Sequence, residues 1–171
     1  MTAFTIMLLV FVTDFAKISL ATDRVRPSRN PETWNIWPYI MIYAVQGILM
    51  VLESLLVLWI GWSYCGLATS DNALYTFSFL TLLYFAAFSI VSARERHWFW
   101  ATMPSRTVLI AVTAELFIGT LVTYLKLPGL IPLPWWQPFF ILSFSMFTCL
   151  IINDAVKVVM IKWRLPSASL N

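Results

Sequence analysis

The sequence predicts an all-α integral membrane protein, a five-transmembrane-helix bundle with its N-terminus outside and its C-terminus in the cytoplasm. Three observations carry that expectation. Of 171 residues, 60% are hydrophobic and 11% charged, with a mean hydropathy of +0.81; a soluble domain carries roughly 25% charged residues. Five stretches reach the about 20 apolar residues that a spanning helix needs. The Lys and Arg residues fall mostly on one side of those stretches, and loops left in the cytoplasm are the ones enriched in them.

The spans are expected over residues 2–21, 36–62, 74–92, 106–125 and 136–156, in one membrane domain covering 1–171. The first has no positively charged flank and no small-residue cleavage site, and its apolar run contains Asp14 and Lys17. It therefore reads as a retained span and not as a signal peptide. Turn-forming residues punctuate the rest: Pro27 and Pro31, then Gly66, Asp71 and Asn72, then Pro104, then Pro128, Gly129, Pro132 and Pro134.

Loops 22–35 and 93–105 are assigned to the cytoplasm by Arg24, Arg26 and Arg29 and by Arg94 and Arg96. Arg106 opens span four, and Lys157, Lys162 and Arg164 end span five, whereas Lys126 alone lies on the other side. Trp34, Trp37, Trp59, Trp62, Trp98, Trp100, Trp135, Trp136 and Trp163 fall at span ends, where an aromatic belt belongs.

Several function classes drop out. The net charge of +3 and pI near 9.0 follow membrane sidedness and form no single basic patch, which argues against nucleic acid. Two cysteines make neither a disulfide framework nor a metal spacing; Cys65 falls in an outer loop and Cys149 deep in the last span. His97 stands alone in a basic interfacial turn, without ligand-spaced neighbours. No Gly-rich phosphate loop, nucleophile elbow or zinc-protease helix occurs, so no catalytic residue and no metal site is assigned to the chain.

Asp14 is the residue that the sequence singles out. An ionised Asp at mid-bilayer depth costs about 2.5–3.5 kcal/mol, so it marks either a transport site or a polar contact between helices. Lys17, three residues on, shares its helical face. It is either an in-helix counter-ion or a residue whose long stem carries its charge the ~6 Å to the cytoplasmic end. Glu53 and Glu115 lie deep in spans two and four, with no Lys or Arg within a turn on their own helices. They are expected either to join helices as neutral, hydrogen-bonded groups or to line a water-filled path. Asp154 and Lys157 are spaced for a local ion pair, and Gly47 and Gly119 for close helix contacts.

The stretch 11–36, FVTDFAKISLATDRVRPSRNPETWNI, and above all its Asp-Arg-Val-Arg-Pro-Ser run, resembles the sixth transmembrane helix and following loop of plasma-membrane-type proton-efflux P-type ATPases. The resemblance continues through Gln46-Gly47-Ile48, Ser92-Ala93-Arg94-Glu95-Arg96, Pro104-Ser105-Arg106 and Asn153-Asp154-Ala155-Val156-Lys157. It covers nearly the whole chain, as helices six to ten of ten. It implies that Asp14 accepts and donates the transported proton, with Thr13 and Lys17 beside it. Thr13 stands where an Asn is typical, and its hydroxyl can donate and accept one hydrogen bond to gate the carboxylate.

The same resemblance makes the loop after span one, with Asp23, Arg24 and Arg26, the coupling element facing the phosphorylation domain; a loop that only fixes orientation is the plainer reading. The Asp-Lys-Thr-Gly phosphorylation sequence is not in this chain. Mg-ATP is then used by the complete pump, with no cofactor bound here. The implied partners are the lipid bilayer and an N-terminal half supplying helices one to five and the cytoplasmic domains, in the plasma membrane. An external Met1 is expected to reflect truncation at the sixth helix, as a split subunit or a remnant. A P-type pump for another cation and a non-catalytic membrane interaction protein are the rival readings.

Overall fold

The structure is a computed structural model and describes residues 3–23, 36–64, 67, 71–95, 97–125 and 129–164. Among them every regular element is helical. Helix α1 (Ala3–Ser19) runs into a 3₁₀ turn (Leu20–Thr22), followed by α2 (Ile36–Tyr64), α3 (Asp71–Ala93) and α4 (Arg106–Tyr124). The last rod consists of α5 (Trp136–Phe147), a π-helical segment (Thr148–Asn153) and α6 (Asp154–Arg164). Among the described residues five helices are long and apolar enough to cross a membrane: 20, 29, 23, 19 and 28 residues in chain order. The chain is a multi-pass membrane protein.

Local chemistry sets the helix boundaries. Ser105 caps α4, its side-chain oxygen accepting from the Val108 N–H at 3.3 Å. Pro38 and Pro138 occupy first turns, where a missing N–H leaves no bond unmade. Gly129 adopts φ 85° in the connection to α5, a backbone conformation that a side chain would disfavour.

Helix α3 is the axis of the bundle. Phe77, Phe79, Leu80, Leu83 and Ala87 have no exposed surface, and α1, α2, α4 and α5 all pack against it. The outward residues of the surrounding helices are just as apolar: Phe11, Phe15 and Ile18 on α1, and Ile48, Leu52 and Leu55 on α2, are exposed. Such surfaces suit hydrocarbon. In that solvent helix association rests on van der Waals fit and interhelical hydrogen bonds, because lipid tails are as apolar as leucine. Trp37, Trp59, Trp62, Trp100, Trp135 and Trp163 are exposed near helix ends.

Close helix approach rests on two glycines, one of them not singled out by the sequence. A Cβ added to Gly119 on α4 would stand 2.6 Å from a Leu83 methyl, and one added to Gly61 on α2 would stand 2.8 Å from the Phe77 ring. Gly47, expected to pack a neighbouring helix, instead has nothing within 4 Å of that position. The expectation for Gly47 is therefore corrected: Gln46 beside it points inward while Gly47 faces out.

The substitution Gly47→Ala should stabilise the detergent-solubilised protein by up to about 1 kcal/mol through helix propensity. Gly119→Leu should destabilise by about 1–3 kcal/mol through overpacking against Leu83. Unfolding in mixed micelles, followed by far-UV circular dichroism, checks both; equal shifts would contradict the packing described.

Candidate functional site

The inward stripe of α1 is Thr5, Val12, Thr13, Ala16 and Ser19. Asp14 and Lys17 follow Thr13 and Ala16 by one residue, about 100° further round the helix, and so stand on its flank. Their side chains are 52% and 57% exposed, and Lys17 Nζ lies 3.1 Å from Asp14 Oδ1. This ion pair on an otherwise apolar helix is the centre of the site. Thr13 is brought near it in sequence only: its buried hydroxyl donates to the Val10 carbonyl at 3.0 Å and faces away from the carboxylate. The hydroxyl expected to gate the carboxylate is thus engaged with the backbone of its own helix.

Across the α1–α4 interface lies Glu115, 3% exposed, with both carboxyl oxygens lacking any hydrogen-bond partner among the described residues. Ala16 on α1 packs with Val108 and Val112 on α4, about two turns and one turn before this carboxyl. Asp14 precedes Thr22 by eight residues and Glu115 follows Arg106 by nine, so the two carboxyls lie about 12 and 14 Å from the same end of the bundle at 1.5 Å per residue.

Glu53 behaves differently. Its Oε2 accepts from Asn153 Nδ2 at 2.8 Å, and Gln46 Nε2 donates to the Asn153 carbonyl at 3.4 Å. These bonds tie α2 to the π-helical segment of the last rod. Such a segment frees backbone groups from the regular ladder and gives polar side chains something to hold. Glu53 is the interhelical contact that one of the two readings of the sequence described.

The end of the bundle where the basic residues collect is fastened by two buried networks. Asp23, closing the turn after α1, accepts from Ser105 N–H at 3.1 Å and from Arg94 Nη1 at 3.4 Å, and the Asp23 and Arg94 side chains are 5% and 3% exposed. Arg94 also donates to the Thr102 carbonyl and, at 2.6 Å, to its hydroxyl. The coupling role expected of Asp23 presumed an outward charge; its carboxylate is instead occupied within the chain. Arg24 and Arg26 lie outside the described residues, as does Cys65.

In the second network Lys157 Nζ lies 2.5 Å from Asp154 Oδ1 and donates to the Ser92 carbonyl at 2.6 Å. Asp154 also accepts from the Ser92 hydroxyl at 3.0 Å and, through Oδ2, from the Phe99 N–H at 2.9 Å. The expected local pair is present, and it is also wholly buried and joins α6 to α3 and the loop beyond. Sequence spacing showed the pair; its second set of partners, 55 and 62 residues away, left no local signal.

Residues 1–159 match the family model described as cation transporting ATPase, C-terminus. The chain belongs to that family. No curated protein matches it. Five apolar helices and this family model agree: the chain is the C-terminal membrane part of a cation-transporting P-type ATPase, and its partner is the rest of the pump.

Within this ATPase part the fastening of Asp154 and Lys157 is testable without transport. Asp154→Asn leaves a buried ammonium uncompensated and should cost about 3–5 kcal/mol of stability. Thermal unfolding of the reconstituted protein measures it, and a loss under 1 kcal/mol would mean that the pair is hydrated.

Proposed function

We propose that the chain supplies the proton-binding membrane helices of a proton-efflux pump of the plasma membrane, with Asp14 as the carboxylate that takes up and releases the transported ion. The observation that carries this reading is Asp14 itself: a carboxylate near mid-helix on an apolar α1, half exposed on the bundle flank and paired with Lys17. A desolvated carboxyl favours its proton, and a cation brought against it favours release. A pump needs a site that alternates between those two environments. The sequence resemblance around Asp14 supports the proton over other cations.

In this reading, Mg-ATP is consumed by the phosphorylation and nucleotide-binding domains of the complete pump, and the work reaches α1 as a change of tilt. Asp23 marks where that motion enters, because its buried carboxylate links the end of α1 to the loop 94–105 and to the start of α4. The adjoining loop, with Arg24 and Arg26, meets the soluble domains. A pump for another cation is the rival within the class, and needs more oxygen ligands than α1 offers.

In the complete pump, Asp14→Asn should abolish ATP-driven proton transport, by at least about 100-fold, while leaving membrane insertion unchanged. Acidification by inside-out vesicles, normalised to the amount of inserted protein, is the measurement. Near-wild-type pumping by Asp14→Asn would refute the assignment, and transport that follows added K⁺, Na⁺ or Ca²⁺ in place of pH would turn it to the rival cation.

A further inference from the structure

We propose that Lys17 is a two-position cation, pairing with Asp14 in one state of the pump and with Glu115 in the other. The inference rests on the reading of Asp14 as the transport carboxylate and adds a residue that reading does not use.

Glu115 poses the problem that the inference solves. A carboxyl group 3% exposed, with neither oxygen hydrogen-bonded among the described residues, is costly to keep as an anion in a medium of low dielectric. The uncharged acid can stay there; the carboxylate requires a cation. Lys17 sits on the neighbouring helix, about four residues of rise nearer the end of the bundle, on a side chain long enough to reach back those ~6 Å. It is presently held by Asp14 at 3.1 Å.

The other titratable groups on the packed elements are committed or distant. On α3 the Tyr84 hydroxyl is engaged with Thr120 at 2.6 Å, and Asp23 at the end of the 3₁₀ turn is bound to Arg94. Asp71, Tyr75 and Tyr124 stand at the opposite ends of α3 and α4, and Arg106 opens α4 nine residues, about 14 Å, before Glu115.

The charges balance through the exchange. At the start Asp14 is the anion, Lys17 the cation and Glu115 the acid. A proton arriving from the entry side forms an O–H bond on Asp14 and removes the partner of Lys17. Lys17 moves to Glu115, whose O–H bond breaks and whose proton leaves to water on the exit side. The site then holds neutral Asp14 with a Glu115–Lys17 pair. Transfer of the Asp14 proton to Glu115 and return of Lys17 reset it, with one proton moved and the ammonium unpaired only while Lys17 crosses.

The test is the pH dependence of ATP-driven transport by the complete pump. With Glu115→Gln, loading Asp14 strands Lys17, so the half-maximal pH should fall by about one unit or more, with a lower maximal rate. With Lys17→Met there is no cation to displace, and the half-maximal pH should rise. Adding Glu115→Gln to Lys17→Met should then leave the half-maximal pH where Lys17→Met put it, and Glu115→Asp should recover part of the wild-type profile.

Gln is isosteric with the neutral acid, so the variant should fold. As a second readout, the infrared spectrum of the wild-type pump at neutral pH should contain a protonated-carboxyl band that Glu115→Gln removes. A Glu115→Gln profile superimposed on wild type, an equal shift with and without Lys17, or no such infrared band would overturn the proposal. If Asp14→Asn abolishes pumping in the same preparations, those results remove only the role of Glu115; if Asp14→Asn pumps normally, the reading of Asp14 falls first.

Discussion

The carboxylate of Asp23 fixes the register on which the rest of the arrangement depends. One of its oxygens receives the first free N–H ahead of α4 and the other receives Arg94, so a single side chain binds the end of α1 to α4 and to the loop between α3 and α4. Helix starts leave N–H groups without intrahelical partners, and an anion delivered there from another helix answers that need. Because the two helices are joined at this end, positions counted from it correspond in depth. Asp14 and Glu115 therefore lie at similar depth on two packed helices.

Hydrocarbon supplies no hydrogen bonds, so each polar group in the bundle has to find its partner within the protein. Most do so at short range: Thr13, Ser19, Ser54, Ser78 and Thr81 return their hydroxyls to carbonyls three or four residues back. Glu53 finds Asn153 across an interface. Lys157 and Asp154 satisfy each other and the end of α3. Against that background Glu115, equally buried and lacking any such bond among the described residues, stands apart. It lies where α1 carries its only acid and its only base.

The fold class was legible because its signals are local and additive. Apolar length shows a span wherever it occurs, and the sided distribution of Lys and Arg orders the spans. Which face of each helix turns inward was less legible, since these helices are apolar all round and offer no polar stripe to mark the outside. That is why Thr13 looked like a companion of Asp14: one step in sequence is most of a right angle on the helix. The interhelical partners of Asp23, Glu53 and Asp154 lie 55 to 100 residues away, and only the packed bundle brings them together. One hint was available. Asp23, Arg94 and the Pro104-Ser105-Arg106 start of α4 were all expected on one membrane face, and buried opposite charges at one level tend to meet.

The π-helical segment at Thr148–Asn153 carries a consequence for how this rod tolerates change. Such a segment amounts to one residue more than a regular helix would fit into the same length. Deleting a single residue between Thr148 and Asn153 would close it into a regular helix and leave everything beyond in phase, whereas adding one would turn everything beyond by about 100°. Asp154 and Lys157 would then swing out of their niche under Ser92 toward the acyl chains. The phase of the final helix, more than the identity of the apolar side chains before it, keeps those two charges out of the lipid.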